Sequence, residues 1–411
     1  MYHPTVISDT IHRFETQFAF PLKEYTISEV EDYQSRLSTL YNDKGLQIRN
    51  YDPEESTFVQ NELLMCKASF PYWTERYAFI NKAGSALARM YPLWTSQKLI
   101  LAEIATLEKA AFDGERNDGA LIDLLKARQL GGSTISQCLQ AHRTTTQNHV
   151  LGLIAADVPQ QSAFLFDMFE RIIENLPFYL LPKGSVIEHV KNTEMKFDGG
   201  SNIWVGSGKS IRGTVGERGQ LGRGMTLSVI HLSELSTWED TDQITAALMP
   251  TVHETPLILV IFESSGRGRN NYWHKHWNAA VAGRSRFTPV FIPWYAEETR
   301  YTRKAPTTWI PSDTTLAHAR RCTETGPRWV HRSVHLNKDQ LYWYESTRAS
   351  HEADNELAAF LENYSAEPEE AFQFSGKSIF PVELLQRISD LQRPTLGVAE
   401  IGLNIDVQRG P

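Results

Sequence analysis

Three stretches of the sequence carry side chains whose spacing could do chemistry. The first is Leu121-Ile-Asp-Leu-Leu-Lys-Ala-Arg-Gln-Leu-Gly-Gly-Ser-Thr134, an apolar strand that runs through a glycine turn into a helical pattern. Such a turn aims free backbone N–H groups and the positive end of a helix at one point, which suits a phosphate. Lys126, Arg128, Gly131, Gly132 and Ser133 follow in order, but the spacing is not that of G-x-x-x-x-G-K-[ST]. Gly132 stands where the lysine belongs and Lys126 where the first glycine belongs, so a purely structural loop stays open as an alternative. The second stretch, Gly206-Ser-Gly-Lys-Ser210, places Lys209 and Ser210 as the pattern asks. It is disfavoured, because Ile203 occupies the leading glycine position and Gly213 and Gly216 interrupt the helix whose dipole would hold the anion. The third, Met225-Thr-Leu-Ser-Val-Ile-His-Leu-Ser-Glu234, is an apolar strand with a carboxylate at its tip. Glu234 could there orient an attacking water, while the Ser133 hydroxyl, phosphates and waters hold Mg2+. Ser233 takes the place usually held by an aspartate, and its own part in the metal site stays open.

The elements that must position these residues are legible as changes of texture. The first 115 residues read as helical: Ser28-Glu-Val-Glu starts a helix with a capping-box pattern, and apolar residues recur at helical spacing in Phe58–Cys66 and Leu99–Phe112, up to the break at Asp113-Gly114. From Ala120 short apolar runs alternate with helical patterns, the mark of βαβ units and a parallel sheet. The expected strands are Leu121–Leu125, Val150–Ala155, Leu227–Leu232, Leu257–Phe262 and Phe287–Ile292, with helices over Ser133–Thr144, Gln160–Asn175, Asp242–Leu248 and Tyr272–Val281. Val186–Gly224, rich in glycine and alternating in polarity, predicts hairpins and an ordered loop. The proline-flanked stretch Pro306–Pro311 is the expected boundary between a core over 1–310 and a mostly helical part over 311–411, with helices at Leu316–Cys322 and Lys338–Tyr364. Arg393–Pro411 shows no closing element, which reads as a chain cut short of a further domain.

Composition narrows the partners. The chain has 411 residues, 41% of them hydrophobic and 22% charged, enough for a full core and more than one folded unit. Its start lacks the basic and apolar segments of a signal peptide, no apolar run is long enough to span a bilayer, and Cys66, Cys138 and Cys322 are too far apart for a disulfide framework. A soluble intracellular protein is expected. A net charge of −8 confines any nucleic-acid contact to a local patch. The candidate is Arg267 to Lys304, where Arg269, Lys275, Arg284, Arg286, Arg300 and Arg303 interleave with Tyr272, Trp273, Trp277 and Trp294. It reads either as a surface for phosphates and bases or as a solvated face beside core aromatics.

Taken together these stretches resemble the large subunits of tailed-bacteriophage terminases, the motors that package viral DNA. Lys126-Ala-Arg-Gln-Leu-Gly-Gly-Ser-Thr134 matches the Lys-x-Arg-Gln-x-Gly-x-Ser-Thr loop common in that family at every fixed position. Many members carry the basic residue at the front of the loop, so Lys126, Arg128 or both would supply the charge. His231–Trp238 resembles the family's acidic strand, and Phe262-Glu-Ser-Ser-Gly-Arg-Gly268 its coupling motif, with Ser264, Ser265 and Gly266 sensing the γ-phosphate or water. Tyr91–Gln97 is similar to the upstream glutamine motif, and Glu362–Gln373 to the stretch that closes the motor. Arg212, with Arg218 and Arg223 behind it, corresponds to an arginine finger.

The resemblance implies an α/β P-loop ATPase of RecA-like (ASCE) type, a central, mainly parallel sheet flanked by helices, with a small, mostly helical lid or linker subdomain after it. It implies ATP bound by Gln97, Lys126, Arg128, Gln129, Gly131, Gly132, Ser133 and Thr134, Mg2+ on Ser133, and catalysis by Glu234, Arg128 and Arg212. The implied partners are double-stranded viral DNA, a portal protein, a small terminase subunit and copies of the chain in a ring, in the cytoplasm of the infected bacterial host and without a membrane. The family's nuclease needs clustered carboxylates for two metals. Asp390 and Asp406, beyond Pro381, stand isolated, so no DNA cleavage is expected. Another P-loop DNA translocase or helicase, or a non-catalytic nucleotide-binding packaging subunit, remains the alternative.

Overall fold

The computed structural model describes residues 22–42, 47–82, 85–181, 186–190, 193–208 and 226–372. Lys209, Ser210, Arg212, Arg218, Arg223, Asp390 and Asp406 lie outside the described residues.

The N-terminal part consists of α1 (Ile27–Ser38), α2 (Pro53–Ala68), α3 (Phe70–Tyr77), the hairpin β1 (Phe79–Lys82) and β2 (Ser85–Arg89), and α4 (Thr95–Phe112). The capping box lies two residues before the expected one. Thr26, in extended conformation, accepts from the Glu29 N–H and Glu29 accepts from the Thr26 N–H. Two overlapping matches, Thr-Ile-Ser-Glu and Ser-Glu-Val-Glu, compete there, and the first wins. The hairpin was not expected: its strands are only four and five residues long, too short to stand out from the helical pattern around them.

The central sheet contains β3 (Ala120–Lys126), β4 (Leu151–Ala156), β5 (Val186–Val190), β6 (Glu194–Phe197), β7 (Asn202–Ser207), β8 (Val229–Ser233), β9 (Leu259–Ser264) and β10 (Thr288–Ile292). Its order is β10-β3-β9-β8-β4-β7-β6-β5, parallel from β10 to β7 and antiparallel through β6 and β5. This is an open, mainly parallel α/β architecture in which β9 is inserted between the strand that leads into the glycine turn and the strand that ends at Glu234. β3, β8 and β9 are buried along their whole length, as strands covered on both faces must be.

Alternation along each strand feeds two cores. Ile122, Leu124, Ile154, Leu259 and Ile261 join one cluster, while Leu121, Leu125, Leu153, Val260 and Phe262 join the other. The first face is covered by α4, α5 (Gly132–Thr146) and α6 (Pro159–Glu174), the second by α7 (Thr241–Leu248) and α8 (Tyr272–Val281). Trp273, Trp277 and Trp294 are sunk in these cores. These three offer no ring to a nucleic-acid base, whereas Tyr272 is half-buried and Arg267, Lys275, Arg284, Arg300, Arg303 and Lys304 are exposed.

Beyond β10 lie α9 (Asp313–Thr325), α10 (Pro327–Val330), α11 (Lys338–Ala353), α12 (Leu357–Asn363) and α13 (Pro368–Ala371). They hold to the sheet through an aromatic stack in which Trp294 meets Trp343 at 5.1 Å and His318 stacks on Tyr344 at 3.7 Å. Glu345 ties the expected boundary to α11, because its carboxylate accepts from Trp309 Nε1, the Ser312 N–H and both the Ser312 and Thr315 hydroxyls.

Burial pushes the Glu345 carboxyl up, but these four donors outweigh it and hold it at about 2. Its folded pKa lies below the ordinary value of about 4.3, so the stabilisation is present above that value and is lost as pH falls towards 2. The urea midpoint should therefore drop across this window, and less steeply for Glu345→Gln. Equal slopes would show that the carboxylate does not hold the boundary.

Candidate active site

The helix after β3 covers one face of the sheet, whereas the helix after β9, its neighbour, covers the other. A crevice opens at the carboxyl end of β3, and the carboxyl ends of strands are where open α/β sheets bind ligands. Into it the turn delivers Gly131 as the N-cap of α5, in the left-handed region at φ 74°. The first N–H groups of a helix lack intrahelical partners, and Gly132, Ser133 and Thr134 line the crevice. Gly132 lies directly over Lys126: a Cβ there would come within 2.8 Å of the lysine Cδ. The turn is anchored from several sides. Ser96 Oγ donates to the Leu130 carbonyl at 2.8 Å, the Arg128 N–H donates to the Asn363 carbonyl at 2.9 Å, and the Tyr301 hydroxyl donates to the Arg128 carbonyl.

Beneath the turn lies a buried polar chain. Lys126 Nζ stands 3.0 Å from Glu263 Oε1, and Ser133 Oγ donates to the same oxygen at 2.6 Å. The other carboxylate oxygen faces His231 Nε2 at 2.8 Å, and the Gln137 amide nitrogen meets His231 Nδ1 at 2.8 Å. With Gln137 donating to Nδ1, the imidazole carries its proton on Nε2 and gives it to Glu263. Burial raises the Glu263 carboxyl, yet Lys126, His231 and Ser133 outweigh burial and hold it at about 2. Burial likewise pulls Lys126 down, and Glu263 and Glu234 more than offset this, leaving it above the ordinary lysine value.

Glu234 follows β8 with φ 56° and accepts from Ser265 Oγ at 3.4 Å. Ser264 Oγ accepts from the Ser236 N–H at 3.1 Å and donates to Ser236 Oγ at 2.8 Å, so the ends of β8 and β9 are laced together. Gly266 touches the C-terminal segment: a Cβ there would come within 1.7 Å of the Ala371 carbonyl oxygen. Glu362 accepts from the Gly268 N–H and the Phe372 carbonyl from Arg269 Nε.

The structure thus gathers Lys126, Gly131, Gly132, Ser133 and Thr134 at one crevice, with Glu234, Ser264, Ser265 and Gly266 on the neighbouring strand ends. The other expected residues are engaged with neighbours or turned to solvent. Gln97 caps its own helix by accepting from the Trp94 N–H and lies under Gly131, while Gln129 lines the crevice and accepts from Arg300 Nη2. The Arg128 side chain is exposed and does not line the crevice. Several residues were missed by sequence reasoning. The crevice, of about 340 Å³, is also walled by Ile80 and Asn81 of the hairpin and by Phe164, Asp167, Met168 and Arg171 of α6. Arg171 makes no ion pair among the described residues, whereas Lys126 is neutralised by Glu263. The i,i+4 spacing of Phe164, Met168 and of Asp167, Arg171 was the available signal, since it puts each pair on one side of the helix.

No family model matches the chain. Among solved structures, it is similar to the large terminase ATPase domain of Thermus phage P74-26 (14% identity, TM-score 0.37, covering 64% of this chain and 92% of that one). It is also similar to the large terminase of bacteriophage HK97 (14%, TM-score 0.45, 73% and 55%). A third is the large terminase of a thermophilic bacteriophage in complex with ATP-gamma-S (12%, TM-score 0.35, 56% and 49%). The chain spans about half the length of the last two.

The close approach at Gly266 gives a direct check. Gly266→Ala must push Ala371 away, which should cost about 1–3 kcal/mol in urea unfolding and raise proteolysis after Asn363. Unchanged stability and cleavage would mean that this contact does not form in solution.

Proposed function

We propose that the chain is the ATP-hydrolysing motor of a viral genome-packaging terminase. The observation that carries this reading is the glycine turn over Lys126, with Ser133 at the helix start, lining a crevice of about 340 Å³, while Glu234 follows β8 close enough to act on the Lys126 charge. That volume lies within the range of ligand sites, about 300–1,000 Å³. The assignment to packaging rests on the sequences of the turn, the acidic strand and the coupling motif, which resemble those of terminase large subunits in the same order along the chain.

In this reading the phosphates of ATP lie on the N–H groups of Gly131 to Ser133. Lys126 turns from Glu263 to them, and Arg171 and Arg128 add charge from the wall and the front of the loop. Glu234 orients a water for attack on the γ-phosphorus; its oxygen bonds there as the bond to the β-phosphate oxygen breaks, leaving ADP and phosphate. Oxygen donors are what Mg2+ takes, and the Ser133 hydroxyl supplies one beside the phosphates. Bound there, the ion would neutralise charge on the phosphates. Arg212 is assigned to the arginine finger, in cis or in trans within a ring of copies. Ser264, Ser265 and Gly266 pass the change of phosphate state to residues 338–372, the lid or linker, which moves double-stranded DNA towards a portal protein. A small terminase subunit completes the assembly, in the cytoplasm of the infected host. No nuclease centre is assigned to this chain.

Phosphate release and fluorescent-nucleotide titration test the reading. Glu234→Gln should keep ATP binding but lose at least about 100-fold in turnover, the size of a general-base effect. Wild-type binding without turnover would favour a non-catalytic subunit, and strand separation a helicase. Lys126→Ala and Arg171→Ala should each weaken binding by about 10-fold or more, the value of a charge-assisted hydrogen bond, while Lys209→Ala should not. Equal tolerance of all three would move the site elsewhere.

A further inference from the structure

We propose that Glu263 of β9 provides the protein carboxylate of the divalent-cation site, in place of any residue of β8. This deepens the nucleotide reading and rests on it. The sequence puts Ser233 where a carboxylate is wanted at the end of β8, and the sheet answers one strand over: Ser233 and Glu263 are partners in the parallel register of β8 and β9. Glu263 already accepts a hydrogen bond at 2.6 Å from Ser133, a hydroxyl at the start of α5 that lines the crevice and could meet a cation arriving with phosphates.

The group behind Glu263 has the form of a ligand support. His231 holds the second carboxylate oxygen at 2.8 Å, and Gln137 fixes the imidazole at 2.8 Å, so the carboxylate is oriented with one edge towards Ser133 and Lys126. Carboxylates that bind metals are commonly hydrogen-bonded from behind in this way. Lys126, 3.0 Å away, is the only cation paired with Glu263 among the described lysines and arginines. When its ammonium turns to a triphosphate, the fully buried carboxylate loses its counter-charge. A divalent cation brought by the same triphosphate restores it. The site thus exchanges one cation for another, and Glu234, linked to Ser265 on the far side, stays free to hold water.

The test is the Mg2+ dependence of binding, read without turnover. The full chain is titrated with a fluorescent non-hydrolysable ATP analogue in Mg2+ and in EDTA. Mg2+ should tighten binding by wild type; Glu263→Gln, which leaves no uncompensated carboxylate when Lys126 turns to the phosphates, should bind in EDTA at least as tightly as wild type but lose about ten-fold or more of the Mg2+ tightening. Adding Ser233→Asp to Glu263→Gln should restore it, because the new carboxylate stands on the neighbouring strand; a merely structural role for Glu263 predicts no such rescue. Should Glu263→Gln fail to fold, Glu263→Asp keeps the charge for Lys126 while withdrawing the carboxylate by one methylene, and should lose several-fold of the tightening. Full Mg2+ tightening in the folded variant overturns the proposal. Failure of wild type to bind the analogue in either condition overturns the nucleotide reading beneath it and is a separate outcome.

Discussion

A lysine ammonium and a glutamate carboxylate, 3.0 Å apart and shielded from water, set the terms for the rest of the structure. Taking two charges out of water costs several kcal/mol for each, and their attraction offsets this only when the remaining donors and acceptors are also met. Here Ser133 and His231 meet them. The arrangement requires β3 and β9 to be neighbours, α5 to begin directly above Lys126, and Gln137 to come round on the second turn of that helix to the imidazole. The strand order, the glycine pair and the tight cover of Gly132 over the lysine stem are consequences of holding these charges in one place.

Much of the fold was legible because the parallel strands are continuous apolar runs bounded by turns. Five of them, with the helices between, lie within a few residues of their expected places. The site was legible only where it is local. The glycine turn, Ser133 and Glu234 each sit in a segment whose own sequence explains them. Glu263 does not: it stands among the last residues of an apolar strand, and its meeting with Lys126 and Ser133 depends on β9 entering the sheet between β3 and β8, which no local pattern encodes. Arg171 and Asn81 reach the crevice for the same reason, from a helix and a hairpin far from the turn in sequence. Gln97 has a local use that its own segment explains, since its amide oxygen accepts from the Trp94 N–H while its amide nitrogen lies against Gly131.

The ties between the site and the C-terminal helices were also hidden, and for a different reason. Asn363 and Phe372 act through carbonyl groups, and Arg128 and Gly268 through N–H groups. Every residue type but proline has both, so such contacts leave almost no mark on the sequence. What they do is specific nonetheless: the front of the glycine turn and the segment after Ser264 and Ser265 are both held by the same short stretch of chain, residues 357–372.

The alternation along β9 has a mechanical meaning. Glu263 looks to the face that carries Lys126 and His231, while Ser264, the next residue, is bonded to Ser236 on the side of α7 and α8. Consecutive Cα atoms are about 3.8 Å apart. The sheet is thus a wall with a buried ion pair on one surface and a hydroxyl link between strand ends on the other, joined by one peptide unit. A tilt of that unit is felt on both surfaces at once, so a message between them needs no hinge, no linker and no chain of intermediaries, only a strand stiff enough to turn as one piece.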